Sequence, residues 1–226
     1  MRRRSMTIFG LALLVIAATL SLAEDSREIL NQEMSKPIIR GGVVYKNYCV
    51  LCHGQRGDGM ARAARLYKGS KLAITPQSPV RYEKIVRGGG QVVGASQYMP
   101  PWQDELSDEQ INDVVSYLGV ISNPAERGEV VYMTSCVLCH GLRADGKGRA
   151  ARIFIPPPAD LTLSVKDDQY KESIIRHGGM FVGRSASMPA WEERLSDTEI
   201  KDVVAYLQTV LIQPGEAQDR SRPRKK

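Results

Sequence analysis

The sequence predicts an all-α protein built from two tandem helical units, and three observations carry that prediction. Apolar residues recur at helical spacing, i, i+3, i+4 and i+7, in Ile111, Val114, Val115 and Leu118 and again in Ile200, Val203, Val204 and Leu207. No alternating run of useful strand length occurs anywhere in the 226 residues. The chain also repeats itself. Gly41, Tyr45, Cys49, Asp58, Gly59, Arg62 and Arg65 recur 87 positions later as Gly128, Tyr132, Cys136, Asp145, Gly146, Arg149 and Arg152. Further on the offset becomes 89, where Arg87, Met99 and Trp102 match Arg176, Met188 and Trp191, so two residues are inserted near Pro156-Pro157-Pro158.

The first segment, residues 1–23, reads as a secretory signal peptide. Met1-Arg2-Arg3-Arg4 is the charged start, Ile8 to Leu20 the apolar run, and Ser21-Leu22-Ala23 the small-residue end, with cleavage expected after Ala23. Thirteen apolar-region residues fall short of the roughly 20 that a membrane span needs; left uncleaved, the leader would instead serve as an anchor. A linker is expected over residues 24–36, the first unit over 37–122, the second over 123–212, and a basic disordered tail over 213–226.

Charge follows these boundaries. The formal net charge is +6; losing the leader leaves +3, and the tail carries all of that remainder. The body is formally neutral, so nucleic acid is not an expected partner.

Each unit opens with a helix. Pro37 and Pro124 suit the first helical position, and Asn123 with Glu126 forms a candidate cap. A middle helix is expected near Tyr82 to Val86 and near Tyr170 to Arg176, stopped by Gly88-Gly89-Gly90 and by Gly178-Gly179. Each unit closes with a helix that starts in a capping box, Ser107 to Gln110 and Ser196 to Glu199. Asp108, Asp113, Asp197 and Asp202 on these closing helices read as a solvated face.

Between the opening and middle helices lies the chemistry. Cys49-Val50-Leu51-Cys52-His53 returns as Cys136-Val137-Leu138-Cys139-His140, and the two copies use all four cysteines. Cys-x-x-Cys-His is the attachment sequence for c-type haem. Two thiols one turn apart add to the two haem vinyl groups, and the next histidine lies under the iron. Other chemistries fit less well. Cys52 and Cys136 are 84 positions apart, against about 15–20 residues in a zinc ribbon. No βαβ context surrounds either copy, as a thioredoxin-like motif requires, and a pair of structural disulfides leaves His53 and His140 unexplained. Two haem c groups are therefore expected, one per unit, held by Cys49, Cys52, Cys136 and Cys139 with His53 and His140 as proximal ligands.

The sixth ligand decides between carrier and catalyst. The third histidine, His177, falls opposite Gly88, so histidine is not the shared distal ligand. The repeat instead offers Met99-Pro100-Pro101-Trp102 and Met188-Pro189-Ala190-Trp191. A thioether opposite imidazole favours ferrous iron. Met99 and Met188 are the expected ligands, with Met60 and Met180 as competitors.

These motifs, with Gly-Asp-Gly or Ala-Asp-Gly after the histidine, Ile-x-Arg before the glycines, Met-Pro-x-Trp, and Leu-Ser-Asp-x-x-Ile-x-Asp-Val-Val-x-Tyr-Leu, resemble the class I c-type cytochromes over nearly all of Gly41 to Leu207. The resemblance implies that opening and closing helices cross near Gly41 and Tyr117 and near Gly128 and Tyr206. It also implies a hydrogen bond from the proximal histidine of the second unit to the Pro158 carbonyl, where the first unit has Lys71. Arg87 and Arg176 are candidate propionate partners, the Arg62/Arg65 and Arg149/Arg152 pairs weaker ones, and His177 is expected at the surface or near a propionate.

The function expected is electron transfer rather than catalysis, with the two haems shuttling electrons between respiratory partner proteins outside the cytoplasmic membrane, on the periplasmic side. The alternative is an electron-transfer subunit of a membrane-bound respiratory enzyme complex. A di-haem peroxidase or thiosulfate-oxidising enzyme would need an open iron site or a spare cysteine, and neither is offered.

Overall fold

A computed structural model describes residues 27–67 and 77–212. The expected leader, the whole of the expected tail (213–226) and Lys71 lie outside the described residues. Contacts divide the chain into one unit up to Lys36 and a second from Pro37 onward. In the first unit residues 27–34, expected as linker, are helical.

The second unit holds six main helices in two sets of three. In the first set α1 is Pro37–Tyr48, α2 is Pro79–Gly88 and α3 is Asp108–Leu118. In the second α4 is Pro124–Ser135, α5 is Asp168–His177 and α6 is Asp197–Thr209. No strand occurs among the described residues.

Caps explain where these helices begin. Ser107 and Gln110, and Ser196 and Glu199, close both halves of their capping boxes. Asn123 accepts from the Ala125 N–H at 3.0 Å, Ser78 from Arg81, and Asp167 from Tyr170. The middle helices therefore start earlier than apolar spacing alone suggests, because the cap residues precede the first apolar position.

Opening and closing helices cross in contact. A Cβ at Gly41 would lie 2.0 Å from the Asp113 carbonyl oxygen, and one at Gly128 only 1.9 Å from that of Asp202. Glycine is thus required at both crossings, which lie where the resemblance to class I c-type cytochromes placed them. Beside them Tyr45 stacks on Tyr117 at 5.3 Å and Tyr132 on Tyr206 at 5.1 Å. Ile111 and Ile200, both fully buried, fill the space below.

The closing-helix aspartates divide into two kinds, which corrects the expectation of a solvated face. Asp113 and Asp202 are buried at 3% and 5% exposure. Each receives two guanidinium hydrogen bonds, from Arg40 at 2.6 and 2.7 Å and from Arg127 at 2.8 and 2.7 Å. A buried carboxylate needs such a partner, so each arginine locks an opening helix to its closing helix. Asp108 and Asp197 are exposed but bound by Arg87 and Arg176.

The two sets also meet each other through α1 and α4. A Cβ at Gly42 would come within 2.6 Å of a Val130 methyl, so this glycine lets the helices close up. At the rim Lys46 pairs with Glu199 at 2.5 Å, and the Ser196 hydroxyl donates to Gln55 at 2.6 Å. The capping box of α6 thereby doubles as a link between the two sets.

Candidate functional site

Each Cys-x-x-Cys-His sequence forms one helical turn, Val50–His53 and Val137–His140, directly after its opening helix. The turn ends at Gly54 and Gly141, whose φ of +78° and +81° lies in the left-handed region that glycine tolerates. The buried hydroxyl of Tyr45 donates to the Gly54 carbonyl at 2.6 Å, and Tyr132 does the same to Gly141 at 2.6 Å. A tyrosine one helix away thus pins the residue after each proximal histidine. The recurrence of Tyr45 and Tyr132 in the repeat was the signal for this role, though the sequence alone does not say what the hydroxyl meets.

The first thiol of each pair is not an activated one. Burial pushes Cys49 up to about 12, with Cys52 adding to it, and burial with Cys139 does the same to Cys136, also to about 12. A dithiol redox motif needs the opposite shift. Burial lowers the His140 imidazole below its ordinary value, partly offset by its bond to a backbone carbonyl. Its Nδ1 lies 3.2 Å from the Ala159 oxygen. With Nδ1–H donating there, Nε2 is left with a free lone pair, as metal ligation requires. The acceptor is Ala159, one residue beyond the expected Pro158, whose own oxygen lies 2.5 Å from where a Gly146 Cβ would be.

A second frame holds the methionines. In the first set the Met99 carbonyl accepts from the Gly90 N–H at 2.9 Å, and the Trp102 N–H donates to the Val86 carbonyl at 3.0 Å. The same bonds recur from Gly179 to Met188 at 2.9 Å and from Trp191 to Ile175 at 3.1 Å. The glycines that stop the middle helix therefore also hold the methionine loop, and Gly89 can take its φ of +78° beside Met99 only because it lacks a Cβ. Met60 and Met180, the competing methionines, are 79% and 73% exposed.

In the first set these parts face one cleft. Cys49, Cys52, His53 and Met99 all line it, and Val114 and Leu118 of α3 close its floor. Tyr48 and Trp102, edge to face at 5.5 Å, and Tyr67 and Tyr98, at 5.6 Å, stand on its walls. Tyr82 also lines it, and its buried hydroxyl has no hydrogen-bond partner among the described residues. An apolar cleft with two thiols and an imidazole on one side, a thioether on its wall and one unpaired hydroxyl fits a haem. Among the described residues no cluster of His, Cys, Asp and Glu suits a bare metal ion.

The candidate propionate arginines are engaged elsewhere. Arg87 binds Glu83 at 2.9 Å and Asp108 at 2.5 Å, and Arg176 binds Asp197 at 2.5 Å, tying the end of each middle helix to the start of the closing helix. His177 is half-buried at the surface, stacked on Phe181 at 4.5 Å with Nδ1 3.3 Å from Glu192.

Comparison with known proteins agrees with this construction. The family model described as cytochrome c oxidase, cbb3-type, subunit III matches residues 37–118 and again 123–207. The cbb3-type cytochrome c oxidase subunit FixPc of Rhizobium leguminosarum bv. viciae is 28% identical over 186 residues, which are 76% of this chain and 61% of that protein. Subunit CcoP of Azospirillum brasilense is 28% identical over 210 residues, 86% of this chain and 68% of its own. Subunit FixP of Sinorhizobium medicae is 26% identical over 194 residues, 80% and 64% respectively. The chain thus spans 61% to 68% of the length of these relatives. No helix among the described residues is long and apolar enough to cross a membrane.

Both matched stretches are cytochrome c domains of all-helical class I type, and together they bind two haem c groups. With each stretch carrying its own Cys-x-x-Cys-His turn and methionine loop, the chain belongs to the family of cbb3-type cytochrome c oxidase subunit III.

Proposed function

We propose that this chain is the electron-transfer subunit of a cbb3-type oxidase, passing electrons through its two haems on the periplasmic side of the membrane and performing no catalysis of its own. The domains are 37–122 and 123–212. Cys49 and Cys52, and Cys136 and Cys139, form the thioethers; His53 with Met99, and His140 with Met188, are the axial pairs. The observation that carries this reading is the first cleft, where both cysteines, the histidine and the methionine line one cavity. The matching backbone frame around Met188 extends it to the second domain.

When bound, haem iron supplies one-electron cycling between ferric and ferrous states. The chain's residues hold it still and keep water away. Tyr45 and Tyr132 steady the proximal turns, the glycine stops steady the distal loops, and α3 and α6 supply the apolar floor. Names of the matched relatives favour the subunit over a free carrier, whose two domains would be built alike. An uncleaved leader would anchor the subunit; a cleaved one would leave attachment to protein contacts.

Alanine at Met99 and at Met188, made separately, tests the ligands. Each variant should open one iron, so that the reduced protein takes up carbon monoxide at one haem of two, while Met60→Ala and Met180→Ala should leave both closed. Unchanged carbon monoxide behaviour in Met99→Ala or Met188→Ala would remove that methionine from the axial position. Recovery of the wild-type chain with oxidase subunits from detergent-treated membranes separates subunit from free carrier.

A further inference from the structure

The two domains differ in charge at one buried position of their middle helices. Tyr82 is the fourth residue of α2 and Lys171 the fourth of α5, and each helix has 10 residues. The correspondence holds in space: four residues after Tyr82 the Val86 carbonyl accepts from Trp102, and four residues after Lys171 the Ile175 carbonyl accepts from Trp191. Tyr82 lines the first haem cleft at 4% exposure, and Lys171 is 6% exposed. The first domain thus has a neutral phenol where the second has an ammonium.

A lysine this deep is unusual unless its charge is compensated. Among the described residues the ion pair of Lys171 is with Asp168, at 3.9 Å, which is too long for a direct hydrogen bond. Asp168 itself is 58% exposed and accepts from the Gln208 amide, so its charge is shared and solvated. The compensation is partial. The first cleft does have a cation on its wall, Arg81, but that residue is exposed and therefore screened by water and salt, and its counterpart in α5 is Tyr170. Arg176, the other cation of α5, is neutralised by Asp197.

We propose that Lys171 sets the direction of electron flow within the protein, by raising the potential of the second haem above that of the first. This rests on the two-haem reading given above. A ferrous haem carries one more negative charge than a ferric one, and a cation buried at the position that lines the cleft in the first domain stabilises the more negative state. In each transfer the first domain's iron is oxidised from ferrous to ferric, the second domain's iron is reduced from ferric to ferrous by that same electron, and no proton or bond changes.

The test is a redox titration of the haem-loaded protein and its Lys171 variants, with Met99→His used to identify the first haem's transition by displacing it. The wild type should show the second haem as the higher-potential one. Lys171→Gln should lower the second haem alone, moving the equilibrium distribution of an electron between the two haems about tenfold toward the first. Lys171→Arg, which keeps the charge, should restore the wild-type order, and Lys171→Met replaces the Gln variant if that one fails to load haem. A wild type with the first haem higher, or neutral variants that shift both haems equally or neither, would overturn the inference. A wild-type spectrum without two low-spin haems would instead overturn the reading beneath it.

Discussion

Replacing Asp202 with alanine should destabilise the fold by about 3–5 kcal/mol, measured as the shift of the denaturant midpoint of the haem-loaded protein. Arg127 is 5% exposed, and its guanidinium is spent on Asp202 and on the Ile121 carbonyl at 2.5 Å. Without the carboxylate a buried charge loses its partner where water does not reach it. The pair itself is no great stabiliser. Burial raises the Asp202 carboxyl above its ordinary value even though Arg127 pulls it down, so desolvation outweighs attraction. Replacing both residues by apolar ones, as Arg127→Met with Asp202→Leu, should therefore recover most of the loss. A single variant that costs less than about 1 kcal/mol would mean that water enters and solvates Arg127. The matching Arg40–Asp113 pair has its arginine 35% exposed, so Asp113→Ala should cost less than Asp202→Ala.

Alanine at Gly128 should be as damaging by a different route. Its Cβ would lie 1.9 Å from the Asp202 oxygen and 2.9 Å from the Tyr206 Cβ, and both belong to parts of α6 that cannot rotate aside. The helices must separate, which breaks the Arg127 bonds and loosens the Tyr132–Tyr206 stack. Overpacking costs about 1–3 kcal/mol in a yielding core, and this contact, made with backbone, should reach or exceed the top of that range. Haem content per chain should fall with it, because Tyr132 also steadies the turn that carries His140. A Gly128→Ala protein with wild-type haem content and midpoint would show that the crossing is looser than the structure has it.

The elements were legible where chemistry forces a local pattern. Capping boxes at Ser107 and Ser196, glycine stops after α2 and α5, and the cysteine–histidine turns all depend on neighbours within a few residues, so sequence order contains them. The helix crossings were legible only through resemblance, since Gly41 and Asp113 are 72 positions apart. What escaped was tertiary pairing. Asp113 and Asp202 look solvated because charged residues on an amphipathic helix usually are, and nothing local announces Arg40 or Arg127. Their joint recurrence, arginine at an offset of 87 and aspartate at 89, was the available signal. Arg87 and Arg176 carry a second role that the sequence did not show. Each ties the end of its middle helix to the first turn of the closing helix through Asp108 or Asp197. The inequality of Tyr82 and Lys171 is plain in an aligned repeat, yet its weight comes from burial, which sequence does not give.

The central claim is that both irons are closed by methionine. It is tested most directly by a redox-titrated optical spectrum of the mature protein, following the ferric sulfur-to-iron charge-transfer band and exposing the reduced form to carbon monoxide. The account predicts two low-spin haems, a charge-transfer band for both, and no uptake of carbon monoxide. A high-spin haem, or ready binding of carbon monoxide by the unaltered protein, would contradict it and turn attention to an open iron and a catalytic role.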